Sequence, residues 1–327
     1  MNWIGKRVLV TGAGGFIGSH LTERLVELGA HTRAFVHYHA DGSWGWLDRS
    51  VYKTEMEVVA GDVTDRDSIA SAVQKCDIVF HLAALIAIPY SYQSPLSFLR
   101  TNVEGTFNVL QTVRSLEVPL LVHTSTSEVY GTARMVPIDE RHPLQAQSPY
   151  AATKIGADKL AESFFLSYAT PVVTVRPFNT FGPRQSARAV IPTIITQYLA
   201  GTTVQLGNLS PTRDLNYVGN TVDGFLHAAA CDQAIGQTIN IGSGREIRIG
   251  DLVELIGRLL GKETNVVMDH NRIRPVGSEV ERLLADNTLA RTSLKWEPRV
   301  SLEEGLKLTI EWFRDHVDHY RPGTYVV

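Results

Sequence analysis

The feature that most constrains the fold is a glycine-rich loop near the start of the chain. Residues 7–11 have the pattern of a buried strand, and residues 16–28 carry apolar side chains at helical spacing. Between them the sequence reads Thr11-Gly12-Ala13-Gly14-Gly15-Phe16-Ile17-Gly18. Gly12 permits a tight turn, Gly15 the approach of a pyrophosphate, and Gly18 close packing of helix on strand. Because strand, loop and helix come in the required order, the segment predicts a dinucleotide-binding unit rather than a flexible loop.

Strand and helix patterns then alternate along the first half of the chain. Further strands are predicted at residues 32–37, 57–60, 78–82, 120–124 and 172–176, with a last one at 238–241. Helical patterns lie between most of them, notably at residues 96–116 and 150–168. This alternation predicts an α/β fold built on a doubly wound parallel sheet of the Rossmann type. Ligands of such sheets bind at the carboxyl ends of the strands.

The pattern changes after residue 177, where turn-rich segments interrupt shorter elements and helices follow at 219–231, 249–261 and 301–315. We predict a dinucleotide-binding domain at residues 1–178, to which residues 215–242 return. Residues 179–214 and 243–327 are predicted to form a smaller, interleaved C-terminal lobe that binds the substrate.

Composition excludes several classes of protein. The 31 Lys+Arg and 34 Asp+Glu residues give a net charge of −3, which argues against the basic surface of a nucleic-acid or membrane binder. Cys76 and Cys231 are the two cysteines, too few for a disulfide framework, and the histidines lack metal-ligand spacing. The N-terminus lacks a signal-peptide pattern, and no apolar run reaches the length of a membrane span. We therefore expect a cytoplasmic protein without a metal.

The residues expected to meet the adenosine end of the cofactor leave NAD and NADP both open. NAD-binding units carry an acid at the end of the second strand, but this sequence has Val36-His37-Tyr38-His39 there. His37 and the nearby Arg33 would tolerate a 2′-phosphate. Asp62 and Val63, after the third strand, are placed to meet the adenine, although Asp62 could equally be a turn or helix-capping residue.

Tyr150 and Lys154 are four residues apart on a helical pattern, so their side chains share one face. A tyrosine beside an ammonium group is expected to have a lowered pKa and can deprotonate a hydroxyl as hydride leaves its carbon. Such a pair is commonplace by itself. Its position after the fifth strand and downstream of the glycine loop favours a catalytic role.

The motifs together resemble the extended short-chain dehydrogenase/reductase family of nucleotide-sugar epimerases, dehydratases and decarboxylases. Besides the glycine loop and the Tyr150/Lys154 pair, the resemblance covers residues 81–84, 101–106, 123–131, 176–185, 212–218, 274–275, 285–287 and 296–298. It implies a nucleotide-diphosphate sugar substrate, a tightly bound and recycled NAD, and a homodimer formed through helices 96–116 and 150–168. It also adds cofactor contacts at Leu82, Ala83 and Ala84.

Within the family, the triplet Thr126-Ser127-Glu128 is similar to that of 4,6-dehydratases, of which the GDP-mannose type has the same order. Residues 274–281 fit that type too, and the whole chain is most similar to the NAD-dependent 4,6-dehydratases of bacterial legionaminic-type acid pathways. The likeness implies that Thr126 bonds O4, Tyr150 takes its proton, and Glu128 removes the C5 proton while Ser127 positions the leaving hydroxyl. A loop-bracing role for Glu128, a UDP-glucuronate decarboxylase and a 4-epimerase stay open as alternatives.

Three residues inside matched motifs correspond to the family's nucleotide-sugar contacts: Asn179, Arg213 and Arg274. Arg184 lies in the family's loop at the cleft, and Arg188 just beyond it. Either arginine could also be a solvated surface residue. Trp44 and Trp46, in the loop after the second strand, have no role that the sequence assigns.

Overall fold

The structure is a computed structural model that describes residues 1–320. Its strands, in chain order, are β1 (Arg7–Thr11), β2 (His31–His37), β3 (Glu57–Gly61), β4 (Ile78–His81), β5 (Leu121–Thr124), β6 (Val172–Pro177), β7 (Asn179–Phe181), β8 (Thr203–Leu206), β9 (Thr212–Tyr217), β10 (Thr238–Ile241), β11 (Glu246–Arg248), β12 (Asn265–Met268) and β13 (Arg282–Leu283). A seven-stranded sheet has the order β10-β6-β5-β4-β1-β2-β3, and all its pairs are parallel.

The helices, in chain order, are α1 (Phe16–Glu27), α2 (Arg66–Val73), α3 (Ile88–Gln93), α4 (Pro95–Phe98), α5 (Gly105–Ser115), α6 (Pro149–Tyr168), α7 (Val190–Ala200), α8 (Val218–Ala229), α9 (Ile249–Leu260), α10 (Thr288–Ser293) and α11 (Leu302–His316). A π-helical segment, Leu99–Glu104, joins α4 to α5.

Strand β1 shows why the sheet forms the centre of the molecule. Val8 and Val10 belong to an apolar core shared with α1 and α8, whereas Leu9 belongs to a second core shared with α2, α5 and α6. Because both faces are covered, the strand is a continuous apolar run without polar alternation. The predicted doubly wound α/β fold is confirmed.

The remaining strands form a smaller part beside the carboxyl ends of the large sheet. Strand β9 pairs with β7, β11 and β13, and β8 pairs with β12. Helices α7, α9 and α11 share a third apolar core that contains Ile194, Ile256 and Phe313. The chain leaves the large sheet after β6 and returns to it at β10. The domain boundaries at residues 178, 214 and 242 stay a prediction.

The predicted strands of the large sheet all occur, with ends shifted by at most one residue. Helix α7 is absent from the sequence-based prediction. Its residues from Ile191 to Tyr198 are buried on every side, so the segment has no polar stripe from which a helical period can be recognised. Within residues 1–320, none of the helices combines the length and apolarity that crossing a membrane would require.

Candidate active site

A cleft of about 770 Å³ opens at the carboxyl ends of the parallel strands, between the large sheet and the smaller part. Most of the residues singled out in the sequence line it: Gly12, Gly15, Phe16, Ile17, Gly18, His37, Leu82, Ala83, Ala84, Thr126, Ser127, Glu128, Tyr150, Lys154, Asn179, Arg213 and Arg274. Asp62, Val63 and Arg184 do not line it. The fold thus brings together residues that lie up to 262 positions apart in the chain, from Gly12 to Arg274.

The glycine loop is packed so closely that larger residues do not fit. Gly12 has a φ of +70°, and a Cβ there would lie 2.8 Å from the amide nitrogen of Ala83. A Cβ at Gly18 would lie 2.1 Å from the carbonyl oxygen of Gly12. Gly15 caps α1 without a side-chain hydrogen bond, and the first turn of α1 carries no acidic residue. The amides and the positive end of this helix dipole therefore remain available to an anionic group in the cleft.

The loop after β2 covers the glycine loop. The backbone amide of Trp46 donates to the carbonyl of Gly14 at 3.0 Å, and a Cβ on Gly14 would lie 2.4 Å from the carbonyl oxygen of Trp44. Trp44 lines the cleft, whereas the Trp46 ring packs edge-on against Trp312 of α11 at 5.4 Å. The two tryptophans therefore connect the glycine loop to the C-terminal helix.

The adenosine end of the cleft differs in part from the sequence-based expectation. Asp62 accepts hydrogen bonds from the amide and hydroxyl of Thr64, both at 2.8 Å, as a turn residue does. Its other carboxylate oxygen lies 3.9 Å from Nδ1 of His37, which is exposed. Arg33 points elsewhere: its guanidinium pairs with Glu57 and donates to the carbonyl of Ala72.

The triplet lies at the start of a short 3₁₀-helix, Ser127–Tyr130, that follows β5. Thr126 caps it, since its hydroxyl oxygen accepts a hydrogen bond from the amide of Glu128 at 3.2 Å. Ser127 is fully buried, and the exposure of Glu128 is only 9%. All three residues nevertheless line the cleft, so a carboxylate is held beside the carboxyl end of β5.

Tyr150 and Lys154 lie on the first turns of α6, which Ser148 caps and Pro149 begins. Burial raises the pKa of the Tyr150 phenol above its ordinary value; Thr126 and the charge of Arg188 act in the opposite direction, and the charge of Glu128 adds to the rise. The expectation of a lowered tyrosine pKa is therefore wrong for this structure, because burial outweighs the Thr126 hydrogen bond and the charge of Arg188.

Lys154 makes a different contact from the one expected. Its Nζ donates to the carbonyl oxygen of Thr124 at 2.6 Å. Burial lowers the pKa of Lys154 to about 8, while the Asp158 carboxylate one turn further along α6 favours the charged form.

Sequence reasoning missed a buried polar network beneath this pair. The Asp158 carboxylate accepts from Ser125 at 2.7 Å, from Arg176 at 2.9 Å and from His123 at 3.1 Å. Burial opposes ionisation, but these donors outweigh it and lower the pKa of Asp158 to about 2. The four-residue spacing between Lys154 and Asp158 was the available indication, since it places both on one face of α6.

Two arginines share one carboxylate on the opposite wall of the cleft. Arg213, on β9, lies 3.3 Å from Oε1 of Glu279, and Arg274 lies 3.9 Å from the same atom. Nη1 of Arg274 and Oδ1 of Asn179 are buried without a hydrogen-bond partner in residues 1–320. Leaving such an atom unsatisfied is unfavourable by roughly 1–3 kcal/mol, so both atoms are expected to bind a polar ligand.

The side chains of the two loop arginines, Arg184 and Arg188, lie in different places. Arg184 has a φ of +70°, and its guanidinium donates to Ser19 at 3.1 Å and pairs with Glu23 of α1 at 2.9 Å. Arg188 lines the cleft instead. The predicted substrate contact at Arg184 is therefore not brought to the cleft, and the sequence contains no pattern that distinguishes the two.

Comparison with known proteins gives matches over nearly the whole chain. Residues 9–309 match the family model described as GDP-mannose 4,6 dehydratase. The chain is 33% identical to a UDP-glucose 4-epimerase of Mycolicibacterium smegmatis, over 94% of this chain and 99% of that protein. It is also 33% identical to a UDP-N-acetyl-alpha-D-glucosaminuronate decarboxylase of Bacillus cytotoxicus, over 95% and 98%.

A solved structure with the same fold is DesIV, a dTDP-glucose 4,6-dehydratase from Streptomyces venezuelae with NAD and TYD bound. Its TM-score is 0.87 at 28% identity, over 96% of this chain and 98% of that one. The three similar proteins are named for three different reactions: epimerisation, decarboxylation and dehydration. The residues of the cleft must therefore indicate which reaction this chain catalyses.

Proposed function

The chain belongs to the extended short-chain dehydrogenase/reductase family of nucleotide-sugar dehydratases, epimerases and decarboxylases, and we propose that it is a 4,6-dehydratase. The proposed substrate is GDP- or UDP-linked N-acetylglucosamine or a related hexose. The proposed product is the 4-keto-6-deoxy sugar.

The observation that carries this proposal is a second acid–base group in the cleft beside Tyr150. Glu128 is buried, lines the cleft, and its charge acts on the Tyr150 phenol. A 4-epimerase needs acid–base chemistry only at O4, where a tyrosine suffices. A 4,6-dehydratase must also remove the C5 proton and protonate the leaving hydroxyl, which a carboxyl group can do.

NAD is the proposed cofactor, and the residues present fit it. The space at Gly15 and the uncapped start of α1 suit a diphosphate. Arg33, which would favour the 2′-phosphate of NADP, is bound to Glu57 and Ala72 instead. NAD is also bound in the similar dehydratase from Streptomyces.

Oxidation at C4 is assigned to Tyr150, Thr126 and Lys154. Thr126 bonds O4, and the Tyr150 phenolate takes the O4 proton while Lys154 stabilises that phenolate. NAD held in the cleft would supply the hydride acceptor for C4 and the hydride donor for C6, and its positive charge would lower the pKa of the phenol.

Elimination of water is assigned to Glu128 and Ser127. The new 4-ketone acidifies the C5 hydrogen, and the Glu128 carboxylate removes it as a proton. The same proton then leaves with the C6 hydroxyl as water, while Ser127 positions that hydroxyl. Once the hydride is returned to C6, C5 would take up one proton, and Tyr150 would release the proton that it took from O4. These two transfers balance, so the product is complete and Tyr150 and Glu128 are again a phenolate and a carboxylate.

The test is the Glu128→Gln variant, with Glu254→Gln at an exposed position of α9 as the control for the same chemical change. Each is incubated with GDP- and UDP-N-acetylglucosamine, and the product mass is measured. We expect loss of one water in the parent and in the control. Glu128→Gln should still reduce the cofactor but neither lose water nor exchange the C5 hydrogen with solvent; undiminished turnover would exclude the assigned role.

Product masses from these incubations, with UDP-glucuronate added as a third substrate, decide between the proposal and its alternatives. A decarboxylase would release carbon dioxide from a uronate donor, and a 4-epimerase would leave the mass unchanged. Glu128 has no required step in the latter, which is why we favour dehydration.

We further propose a homodimer through the α4–α6 region. Apolar side chains on this surface are exposed, among them Leu99, Phe107 and Leu166. Their burial between two copies would be favourable. Light scattering should give about twice the chain mass of 36.1 kDa; the mass of a single chain would contradict the dimer.

A further inference from the structure

Arg188 differs from the other arginines and the lysine of the cleft, because residues 1–320 provide it with no counter-group. Arg213 and Arg274 share Glu279, Arg272 pairs with Asp269, and Lys154 donates to a backbone carbonyl. Among residues 1–320, no hydrogen bond or ion pair joins Arg188 to another side chain. Its guanidinium is half-buried, which lowers its pKa. A cation removed from water without a partner is unfavourable, so a ligand group is expected to complete this site.

The position of Arg188 indicates which part of a ligand it meets. The charge of Arg188 acts on the Tyr150 phenol, whereas Arg213 interacts with Glu128, Glu279 and Arg274. Arg188 is therefore associated with the reacting tyrosine. Arg213 and Arg274 share the Glu279 carboxylate, and together these two arginines suit the diphosphate.

The start of α7 strengthens the positive character of this wall. Helix α7 follows Arg188 directly, and Val190, Ile191 and Thr193 of its first turn line the cleft. Its cap, Ala189, has no side-chain hydrogen bond, and the first turn contains no acidic residue. The helix dipole and the guanidinium therefore favour the same kind of group, an oxygen that carries negative charge or partial negative charge.

We propose that Arg188 determines sugar specificity by binding a carbonyl-type oxygen carried by the hexose, from either an acetamido group or a carboxylate. The planar guanidinium donates to such an oxygen in a fixed geometry, and a plain hydroxyl is a weaker acceptor. Nucleotide sugars with one of these substituents are then bound in preference to an unsubstituted hexose. This inference rests on the proposed function only in that a nucleotide sugar occupies the cleft.

Binding is measured by calorimetry on the NAD-loaded enzyme in a Tyr150→Phe background, so that turnover does not disturb the result. The ligands are the nucleoside diphosphate alone and its glucose, N-acetylglucosamine and glucuronate conjugates, in the uridine and guanosine series. Arg188→Met is compared with Arg188→Lys and with Arg245→Met, which changes an exposed arginine outside the cleft.

We expect Arg188→Met to weaken binding of the acetamido or the carboxylate sugar about 10- to 100-fold, the size of a lost hydrogen bond to a charged group. The diphosphate and the plain glucose conjugate should change less than about threefold. Arg188→Lys should give an intermediate loss of affinity, because a point charge replaces the planar guanidinium with its several donors. Arg245→Met should cause no loss of affinity. The substituent that loses affinity identifies which source of oxygen the site takes.

Three outcomes would overturn the inference: an equal loss for every ligand, including the diphosphate alone; no loss for any; or a parent enzyme that does not prefer a substituted sugar. These results are independent of the proposed reaction. If the parent enzyme releases water but Arg188→Met binds every ligand as the parent does, only the role of Arg188 is refuted. If Arg188→Met shows the expected losses of affinity but the parent releases no water, only the dehydratase proposal is refuted.

Discussion

The ammonium of Lys154 and the backbone carbonyl of Thr124 form a 2.6 Å hydrogen bond that joins α6 to the carboxyl end of β5. This hydrogen bond holds the Lys154 side chain next to β5, the strand that precedes the Thr126-Ser127-Glu128 triplet. It also keeps a cation in a buried position, where the pKa of Lys154 is lowered to about 8.

The first prediction concerns the pH dependence of C4 oxidation. Lys154 carries its charge below about pH 8 and loses it above, so the rate of NAD reduction should fall as the pH rises through that value. Lys154→Met should lower the rate at least about 100-fold at all pH values and remove the alkaline limb. Stopped-flow absorbance of NADH measures both; an unchanged limb in the variant would assign it to another group.

The second prediction concerns the buried Asp158. Asp158→Asn leaves the Arg176 guanidinium and His123 without their carboxylate, so we expect a loss of about 3–5 kcal/mol in the free energy of unfolding. Denaturant titration measures it, with the exposed Asp315→Asn as control. A loss equal to that of the control would show that the network does not stabilise the fold.

The same carboxylate predicts an acid limit to stability. The pKa of Asp158 in the folded protein is lowered from 3.8 to about 2, so its contribution is complete above about pH 4 and is lost as the pH falls towards 2. The difference in the free energy of unfolding between Asp158→Asn and the parent should therefore be smaller at pH 2 than at pH 7.

The third prediction concerns the glycine loop. Gly18→Ala places a Cβ 2.1 Å from the carbonyl oxygen of Gly12, which must shift the loop and weaken NAD binding by at least about tenfold. Gly201→Ala is the matched control, since no atom lies within 4 Å of the added Cβ. Calorimetry with NAD tests both; equal affinities would mean that the loop relaxes without consequence.

The fourth prediction concerns the cover of that loop. Trp46→Ala removes the contact with Trp312, so we expect about 1–3 kcal/mol less stability and faster loss of NAD during gel filtration. The control is Leu308→Ala on the exposed side of α11. Full retention of the cofactor would show that Trp46 only packs the loop.

The large sheet was predictable because its strands are apolar runs separated by helical patterns, and both signals are local in sequence. Helix α7 was not, because burial on all sides erases the polar stripe that marks a helix. Helices α9 and α11 of the smaller part were predictable from the sequence, but its short strands were not. Strands β7, β11 and β13 contain two or three residues and pair only through long-range contacts with β9.

The sequence by itself determined the glycine loop, the spacing of Tyr150 and Lys154, the Thr126-Ser127-Glu128 triplet and thereby the family, because these are short-range patterns. Only the tertiary structure decided where the loop arginines lie: Arg184 pairs with Glu23, and Arg188 lines the cleft. It also decided the direction of the Tyr150 pKa, since burial is produced by packing from several segments at once. Both depend on what surrounds a side chain, which no local pattern encodes.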